Sequence, residues 1–391
     1  MKRTVSQCLW LALLLTFLFY GCESGQNKSV TGDFFDRKAG DLLTVTATFD
    51  SLIPYSENPG EESYVFAGKY KNVSAFSVYK FPLPDADLID REKFQSASLS
   101  FNVPDYWLNG PVEFGLFEAT SDWSDSVRLD PDDFPFDPDS PISTFSDTAS
   151  SIGSLNFVLT EKTIEYIRSW SRSGSFIVAG TTNCESMMAL SAFYSNYIPK
   201  IEYVFTIADG VLDSTSTSCI ESNYYFNTGF NPDEIASGMT GIISDADNRA
   251  FVLKLTIPEQ LPSTAVINQC IAHLTIDKNL SLIPTNETFD LGVYQLDNTL
   301  TVISEANYDS GTIIESSVTE EATVLEFDIT DHIQAWHIDK NSNFGILIKS
   351  SLVNNAPKQL VLTPESTLTI WYTSVPKDTL IVKHSTPPEV Q

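Results

Sequence analysis

Five aspartates fall within ten residues of the chain, and carboxylates at this density could bind a hard cation. They are Asp130, Asp132, Asp133, Asp137 and Asp139. Calcium takes about six to eight oxygen ligands, so this acidic segment is a candidate calcium site. However, the segment lacks the turn glycine and distal glutamate of an EF-hand loop, and its prolines hold the carboxylates apart. A solvated acidic loop without metal is the alternative.

A second set of residues could bind sugars, because the faces of aromatic rings stack on sugar rings. Seven aromatic residues lie in predicted strand ends or loops: Tyr106, Trp107, Trp123, Tyr194, Tyr197, Tyr224 and Tyr225. Aromatic side chains also fill cores and cover sheet edges, which is the alternative role at each position. The sequence therefore indicates glycan-stacking candidates without separating them from packing residues.

Catalytic motifs are absent from the sequence. The chain contains no Gly-x-Ser-x-Gly, His-Glu-x-x-His or glycine-rich phosphate loop. His332 and His337 are five residues apart, so a helix would not place both imidazoles on one face for a zinc site. We predict no catalytic residues and no enzyme activity. A pair of carboxylates distant in sequence, as in a glycosidase, is the minor alternative.

The N-terminus carries an export signal. Lys2 and Arg3 precede an uncharged apolar run from Leu9 to Tyr20, which is too short for the roughly 20 residues of a membrane-spanning helix. The sequence Phe19-Tyr-Gly-Cys22 then resembles the lipobox of bacterial lipoproteins. This resemblance implies cleavage after residue 21 and acylation of Cys22, with palmitate among the acyl chains. We expect an outer-membrane lipoprotein of the bacterial cell envelope, facing the periplasm or the exterior.

Three cysteines remain after Cys8 leaves with the signal and Cys22 takes lipid. An odd number excludes a complete disulfide framework. Cys184 and Cys219 lie in polar, turn-rich segments and could form a disulfide in an oxidising compartment, whereas Cys270 lies in a predicted strand. Three free thiols are the alternative.

The charge of the chain limits its partners. The formal net charge is -28 at pH 7, so nucleic acid is excluded as a partner. Contact with the membrane is expected through the lipid anchor. A polysaccharide or other envelope proteins are the expected soluble partners.

Short runs of Val, Ile, Phe, Tyr and Thr alternate with Pro, Gly, Asp and Asn, which predicts an all-β protein. The pattern repeats after about 170 to 175 residues, as expected for two large β units rather than propeller blades. The matching segments are residues 76–84 and 251–258, 95–101 and 268–276, 112–118 and 289–295, and 155–170 and 325–336.

The repeat predicts two tandem antiparallel β-sandwich domains of jelly-roll type, at residues 41–208 and 220–375. The predicted remainder is the signal peptide 1–21, a lipidated flexible tether 22–40, a linker 209–219 and a C-terminal tail 376–391. Thr160 and Thr330 each precede a short helical turn and are expected to cap its first amides. The Ile and Trp that follow should close one end of each sandwich.

The order of these segments resembles the DNRLRE-type domain family. The resemblance rests on Lys80-Phe-Pro, Ser96-Ala-Ser-Leu-Ser-Phe101, the Gly-Leu-Phe strand from Gly115, and Ile-x-x-Trp before Phe344-Gly-Ile-Leu-Ile. It covers both halves and implies jelly-roll sandwiches similar to carbohydrate-binding modules of bacterial surface and secreted proteins. The arginine of the family's first strand is matched by Arg249 in the second half, and Ser74 stands there in the first.

These observations lead to one expectation about function with two alternatives. We expect a non-catalytic envelope lipoprotein that acts as a structural or assembly component through protein contacts. The alternative is a surface lipoprotein that recognises a polysaccharide, and the minor alternative is a glycoside-active enzyme. No cofactor is expected other than possible calcium in the acidic segment.

Overall fold

The computed structural model describes residues 41–374 except 47–48, 57–62, 87–88, 91, 125–128, 148–151, 208–209, 230–240, 247–248, 297–313 and 352–355. The predicted signal peptide, Cys22, the tether and the C-terminal tail therefore lie outside the described residues. Within the described part, no helix has the length and apolar character needed to cross a membrane.

Antiparallel strands make up most of the described chain, which confirms the all-β prediction. In chain order the strands are β1 (Asp41–Thr46), β2 (Phe49–Ser56), β3 (Tyr64–Tyr70), β4 (Val73–Pro82), β5 (Phe94–Asn102), β6 (Asp105–Leu108), β7 (Val112–Ala119), β8 (Ser143–Asp147), β9 (Ser154–Leu159), β10 (Ser173–Gly180), β11 (Ser186–Ser191), β12 (Lys200–Thr206), β13 (Leu212–Ser218), β14 (Glu221–Asn227), β15 (Gly241–Ser244), β16 (Arg249–Leu255), β17 (Ala265–Ile276), β18 (Thr288–Gln295), β19 (Ile314–Thr319), β20 (Val324–Asp328), β21 (Ile346–Ser350) and β22 (Gln359–Ser374). Two α-helices interrupt them, α1 (Glu161–Arg168) and α2 (Thr330–Ile338).

The strands form three sheets. Sheet I has the order β19-β18-β21-β16-β15-β22-β17-β20, with β1 added on β22 and β2 on β16. Sheet II has the order β6-β11-β3-β4-β10-β7-β8, with β14 added on β4, and sheet III has the order β13-β12-β5-β9. Sheets II and III are called the first unit below, and sheet I the second unit.

Burial along the strands follows from which faces are covered. In β9 and β20 buried residues alternate with exposed ones, as expected for strands with one face on the core. Sheets II and III enclose the core of the first unit, to which Phe66, Tyr79, Phe101 and Tyr203 contribute. By contrast, β10 is an unbroken buried run from Ser175 to Ala179, because a loop also covers the outer face of sheet II.

Strand pairing places the matching sequence segments in equivalent positions of the two units. In the first unit β10 lies between β4 and β7, and in the second β21 lies between β16 and β18. Likewise β5 lies between β9 and β12, as β17 lies between β20 and β22. The matching sequence segments therefore occupy matching places in the two units.

The predicted boundaries between the halves are wrong, because the two units exchange their leading strands. The N-terminal strands β1 and β2 pair with β22 and β16 of the second unit. In the same manner, β13 and β14 pair with β12 and β4 of the first unit. The predicted linker 209–219 thus contains strand β13, and residues 41–56 belong to the opposite unit. Sequence similarity between the halves identifies the strands, but it does not determine which neighbouring strand each of them pairs with.

The two short helices lie where the sequence predicts helical turns, but the capping prediction is wrong. Neither Thr160 nor Thr330 caps its helix through its side chain, and the first amide of α2, Thr330 N–H, donates to Asp328 Oδ1 at 3.0 Å. The Thr160 hydroxyl donates to the Ile142 carbonyl at 3.2 Å, and Thr330 Oγ1 accepts the Cys270 N–H at 2.8 Å while donating to Asp328. These hydroxyls therefore tie the helix starts to neighbouring strands. Ile167 at the end of α1 and Trp170 just after it are buried in one main core, and Ile333 and Trp336 of α2 are buried in the other.

Candidate functional site

The outer face of sheet II carries an open concavity. Residues 120–124 and 129–142, which lie between β7 and β8 and are called the covering loop below, bury Leu129 and Phe134 against this face. These side chains cover Val78 and Ile177 from β4 and β10. The covering loop stops short of one end of the sheet, where a cleft remains open.

The cleft has a volume of about 410 Å³. Its walls come from β3, β4, β14, the end of β10 and the covering loop. The lining residues are Gly68, Lys69, Ser74, Ala75, Phe76, Pro131, Phe136, Pro138, Ala179, Gly180, Thr181, Thr182 and Tyr225. Lys69 is the only charged residue among them, and none is a carboxylate.

Three aromatic rings form the apolar part of the cleft. The ring centroid of Phe76 lies 5.5 Å from that of Tyr225 and 5.6 Å from that of Phe136. Phe136 also packs on Phe117 at 4.8 Å, which attaches the covering loop to β7. Phe76 is buried, whereas Phe136 and Tyr225 are half-buried and present part of their rings to the cleft.

Hydroxyl groups and bare backbone form the polar part of the cleft. The Thr182 hydroxyl donates to Asp139 at 2.6 Å, which joins the covering loop to the end of β10. Gly68 has φ +108°, and a Cβ there would lie 2.2 Å from the Ser186 carbonyl oxygen. A Cβ on Gly180 would lie 2.8 Å from Cys184 Cβ. Glycine is therefore required at both positions on the cleft floor.

The five aspartates of the covering loop do not converge on one point. Asp130 accepts the Asp132 N–H, and Asp137 accepts the Asp139 N–H and the Ser140 hydroxyl, at 2.9 to 3.0 Å. These bonds lower the pKa of Asp137. In the described chain no three acidic, histidine or cysteine side chains are placed to hold a metal ion. Asp130 and Asp137 thus stabilise turns of the loop, and the five aspartates do not form the calcium cluster that the sequence suggested.

Two of the seven aromatic candidates are core residues, which corrects their assignment as stacking residues. Trp107 is 5% exposed and donates through Nε1 to Glu287 at 3.1 Å. Tyr224 is 2% exposed and its hydroxyl donates to the Ala246 carbonyl. Both side chains lie where the first unit meets the second, and neither ring has a free face.

The other five aromatic candidates occupy different surfaces. Only Tyr225 lines the cleft. Trp123 donates to Ser175 Oγ at 2.9 Å, and its ring lies 5.1 Å from Lys80 Nζ, so it is held at the other end of the covering loop. Tyr106 is half-buried, and Tyr194 and Tyr197 are exposed beyond β11.

The disulfide predicted between Cys184 and Cys219 is not formed, because each thiol is buried and bonded within its own turn. Cys184 Sγ donates to the Ser186 carbonyl at 3.2 Å, and Cys219 Sγ donates to the Glu221 carbonyl at 2.9 Å. Burial raises the pKa of Cys219 to about 12 and also raises the pKa values of Cys184 and Cys270. All three are therefore unreactive thiols in the folded state.

Sequence reasoning missed most of the cleft. Phe76, Phe136, Thr181 and Thr182 were not candidates, because no motif marks them. One signal was present, since β4 carries apolar residues on both of its faces and must be covered on both sides. The cleft places aromatic side chains beside hydroxyl groups, a combination typical of ligand-binding pockets. No protein-family model matches the chain, and a search of curated proteins finds no match.

Proposed function

We propose that this protein is a non-catalytic bacterial envelope lipoprotein that binds carbohydrate in the cleft on sheet II. The proposal rests on the cleft itself, which is lined by the half-buried aromatic residues Tyr225 and Phe136 together with Thr181 and Thr182. A sugar has apolar C–H faces and hydroxyl edges, and this lining complements both. The resemblance to carbohydrate-binding sandwiches supports the same function. The expected anchor is the acylated Cys22.

The rims of the cleft favour a neutral sugar unit. Asp139 is bonded to Thr182 at one rim, and the other aspartates of the covering loop lie nearby in sequence. Lys69 is the only cation in the lining. Sugars with several carboxylates would meet repulsion from these groups, so neutral glycans are the first probes to use.

A glycan array tests this proposal, using the chain from residue 23 onward, which keeps every described strand. We expect saturable binding that is the same with and without a chelator. Titration calorimetry on the strongest glycan should show that Tyr225→Ala weakens binding by at least about tenfold. Tyr197→Ala is the matched control, because Tyr197 is exposed outside the cleft. A blank array, or equal binding by Tyr225→Ala and wild type, would contradict the proposal.

A structural or assembly role is the second candidate. The observation that favours it is the exchange of strands between the units, by which each half of the chain completes sheets of the other. Such a body suits a spacer between the membrane anchor and a partner. If the glycan array is blank, crosslinking in intact cells followed by identification of attached envelope proteins tests this role directly.

A further inference from the structure

Sheet III ends at β13, and among the described strands only β12 pairs with it. Residues of β13 are exposed on both faces of the strand. Its sequence, Leu212-Asp-Ser-Thr-Ser-Thr-Ser218, contains no lysine or proline, and its register with β12 has no bulge. Lysine, proline and a bulge are features that usually stop an edge strand from pairing with another strand, and β13 has none of them. Within the described part of the chain, this edge is therefore open to strand addition.

The hydrogen bonds at the ends of β13 show which backbone groups face outward. Cys219 N–H donates to the Pro199 carbonyl, and Ile207 N–H donates to the Val211 carbonyl. In an antiparallel ladder this pattern turns odd-numbered residues of β13 toward β12. The even-numbered residues, from Leu212 to Ser218, direct their N–H and C=O groups to the free edge. Consistent with this, Ser214 N–H bonds the Asp213 side chain at 2.8 Å instead of β12.

We propose that this edge joins two molecules of the protein into a two-fold dimer, β13 against β13. With Thr215 on the axis, Ser214 faces Ser216 of the second molecule and Leu212 faces Ser218. All outward N–H and C=O groups then meet in hydrogen-bonded pairs, with Ser214 N–H exchanging its bond to the Asp213 side chain for one to the Ser216 carbonyl of the second molecule. Asp213, the only charged residue of the strand, faces Thr217, whose hydroxyl can donate to it. No like charges oppose each other across the axis.

The exposed apolar side chains support the antiparallel arrangement. Val211 and Leu212, at the start of β13, are 55% and 62% exposed. At the other end of the strand, Ile220 and Tyr197 are also exposed, Tyr197 to 65%. A two-fold axis through Thr215 brings the start of each strand to the end of the other. Apolar side chains that each molecule exposes singly would then be next to each other at both ends of the interface.

Sedimentation velocity from micromolar to submillimolar concentration tests the dimer, on the chain from residue 23 onward. We expect wild type to dimerise weakly, because an interface of two edge strands is small. Ser216→Pro should be monomeric throughout, since proline removes an outward N–H without removing a bond to β12. Ser216→Ala keeps that N–H and should dimerise as wild type does. Circular dichroism and thermal melting check that both variants fold.

A crosslinking experiment tests the register independently. Thr215 faces itself across the axis in a non-hydrogen-bonded pair, where Cα atoms are about 4.5 Å apart, within the range of a disulfide. Thr215→Cys should therefore form a covalent dimer under mild oxidation, while Thr217→Cys, opposite Asp213, should not. The buried native thiols do not interfere.

A wild type that stays monomeric, or dimers unchanged by Ser216→Pro, would overturn the proposal. Glycan binding by Ser216→Pro would show that binding in the cleft does not depend on dimer formation, so either proposal can fail without the other.

Discussion

The glycine that both halves of the repeat share has a steric explanation at the residue scale. In β7 a Cβ on Gly115 would lie 2.4 Å from the ring of Phe117, and in β18 a Cβ on Gly292 would lie 2.7 Å from the ring of Tyr294. In both strands the aromatic residue two positions later folds back over the glycine. Each glycine thus makes room for an aromatic ring on the outer face of its sheet.

We predict that Gly115→Ala lowers the free energy of unfolding by about 1 to 3 kcal/mol, through overpacking. The ring of Phe117 cannot move aside freely, because it is buried against Phe136 of the covering loop. Urea unfolding gives the measurement. Gly153→Ala is the control, since nothing lies within 4 Å of its Cβ position and it should change little. Equal effects of the two substitutions would refute the explanation.

His332 is a second residue with a measurable consequence. It is buried in α2, and neither ring nitrogen has a hydrogen-bond partner in the described structure. Burial lowers its pKa from the ordinary 6.5, although Asp331 and Asp328 oppose the shift. As pH falls through about 6.5, the unfolded chain takes up a proton that the folded chain resists. Folding stability should therefore decrease, by at most about 1.4 kcal/mol per pH unit.

The measurement is the urea midpoint at several pH values between neutrality and about pH 5.5, above the main titration of the carboxylates. His332→Leu removes the titrating group and should flatten this dependence. Stability of the variant at neutral pH should be at least that of wild type, because two unpaired buried nitrogens are lost. An unchanged pH profile in the variant would assign the dependence to other groups.

At the element scale, the unexpected feature is where the leading strands go. Strands β1 and β2 stand before the first unit in sequence and complete the second, while β13 and β14 stand before the second and complete the first. The two pairs also occupy equivalent places, on β22 and β12 and on β16 and β4. Each unit is therefore completed by strands that the other half of the chain supplies.

We predict that deleting residues 23–56 exposes the edges of β16 and β22. Amide hydrogen exchange in these strands should become at least about tenfold faster, since the amides lose protection from β1 and β2. Exchange in β5 and β9 should change less, because these strands lie in sheet III. Deletion of residues 23–40 alone is the control and leaves all described strands in place. Equal exchange in the two deletions would mean that the exchanged strands add no protection.

At the scale of the whole molecule, buried polar contacts hold the two units together. Lys358 is buried, and its Nζ lies 3.0 Å from Glu287 Oε2, while Oε1 of the same carboxylate accepts from Trp107 of the first unit. One carboxylate thus satisfies groups of both units. Together with the exchanged strands, this contact should make the chain unfold as one body.

We predict that Glu287→Gln lowers stability by about 1 to 3 kcal/mol, because it removes the carboxylate that pairs directly with the buried Lys358 ammonium. Partial exposure of Glu287 keeps the effect below that of a fully buried pair. Scanning calorimetry should show a single transition in wild type. Glu320→Gln is the control, since its pairing with Lys71 is exposed on both sides and should contribute little. Equal losses in both variants would contradict this role for Glu287.

Strand positions, the all-β class and the repeat were predictable from the sequence, because alternation along a strand and its recurrence are local patterns that the chain carries with it. The acidic loop was also recognisable, though its carboxylates turn out to stabilise turns. Only the tertiary structure decided that Trp107 and Tyr224 are buried between units while Tyr225 lines a cleft, and that each leading strand pair completes the opposite unit. The physical reason is that alternation reports which residues share a face, whereas the identity of the covering surface depends on backbone edges and loops far away in sequence.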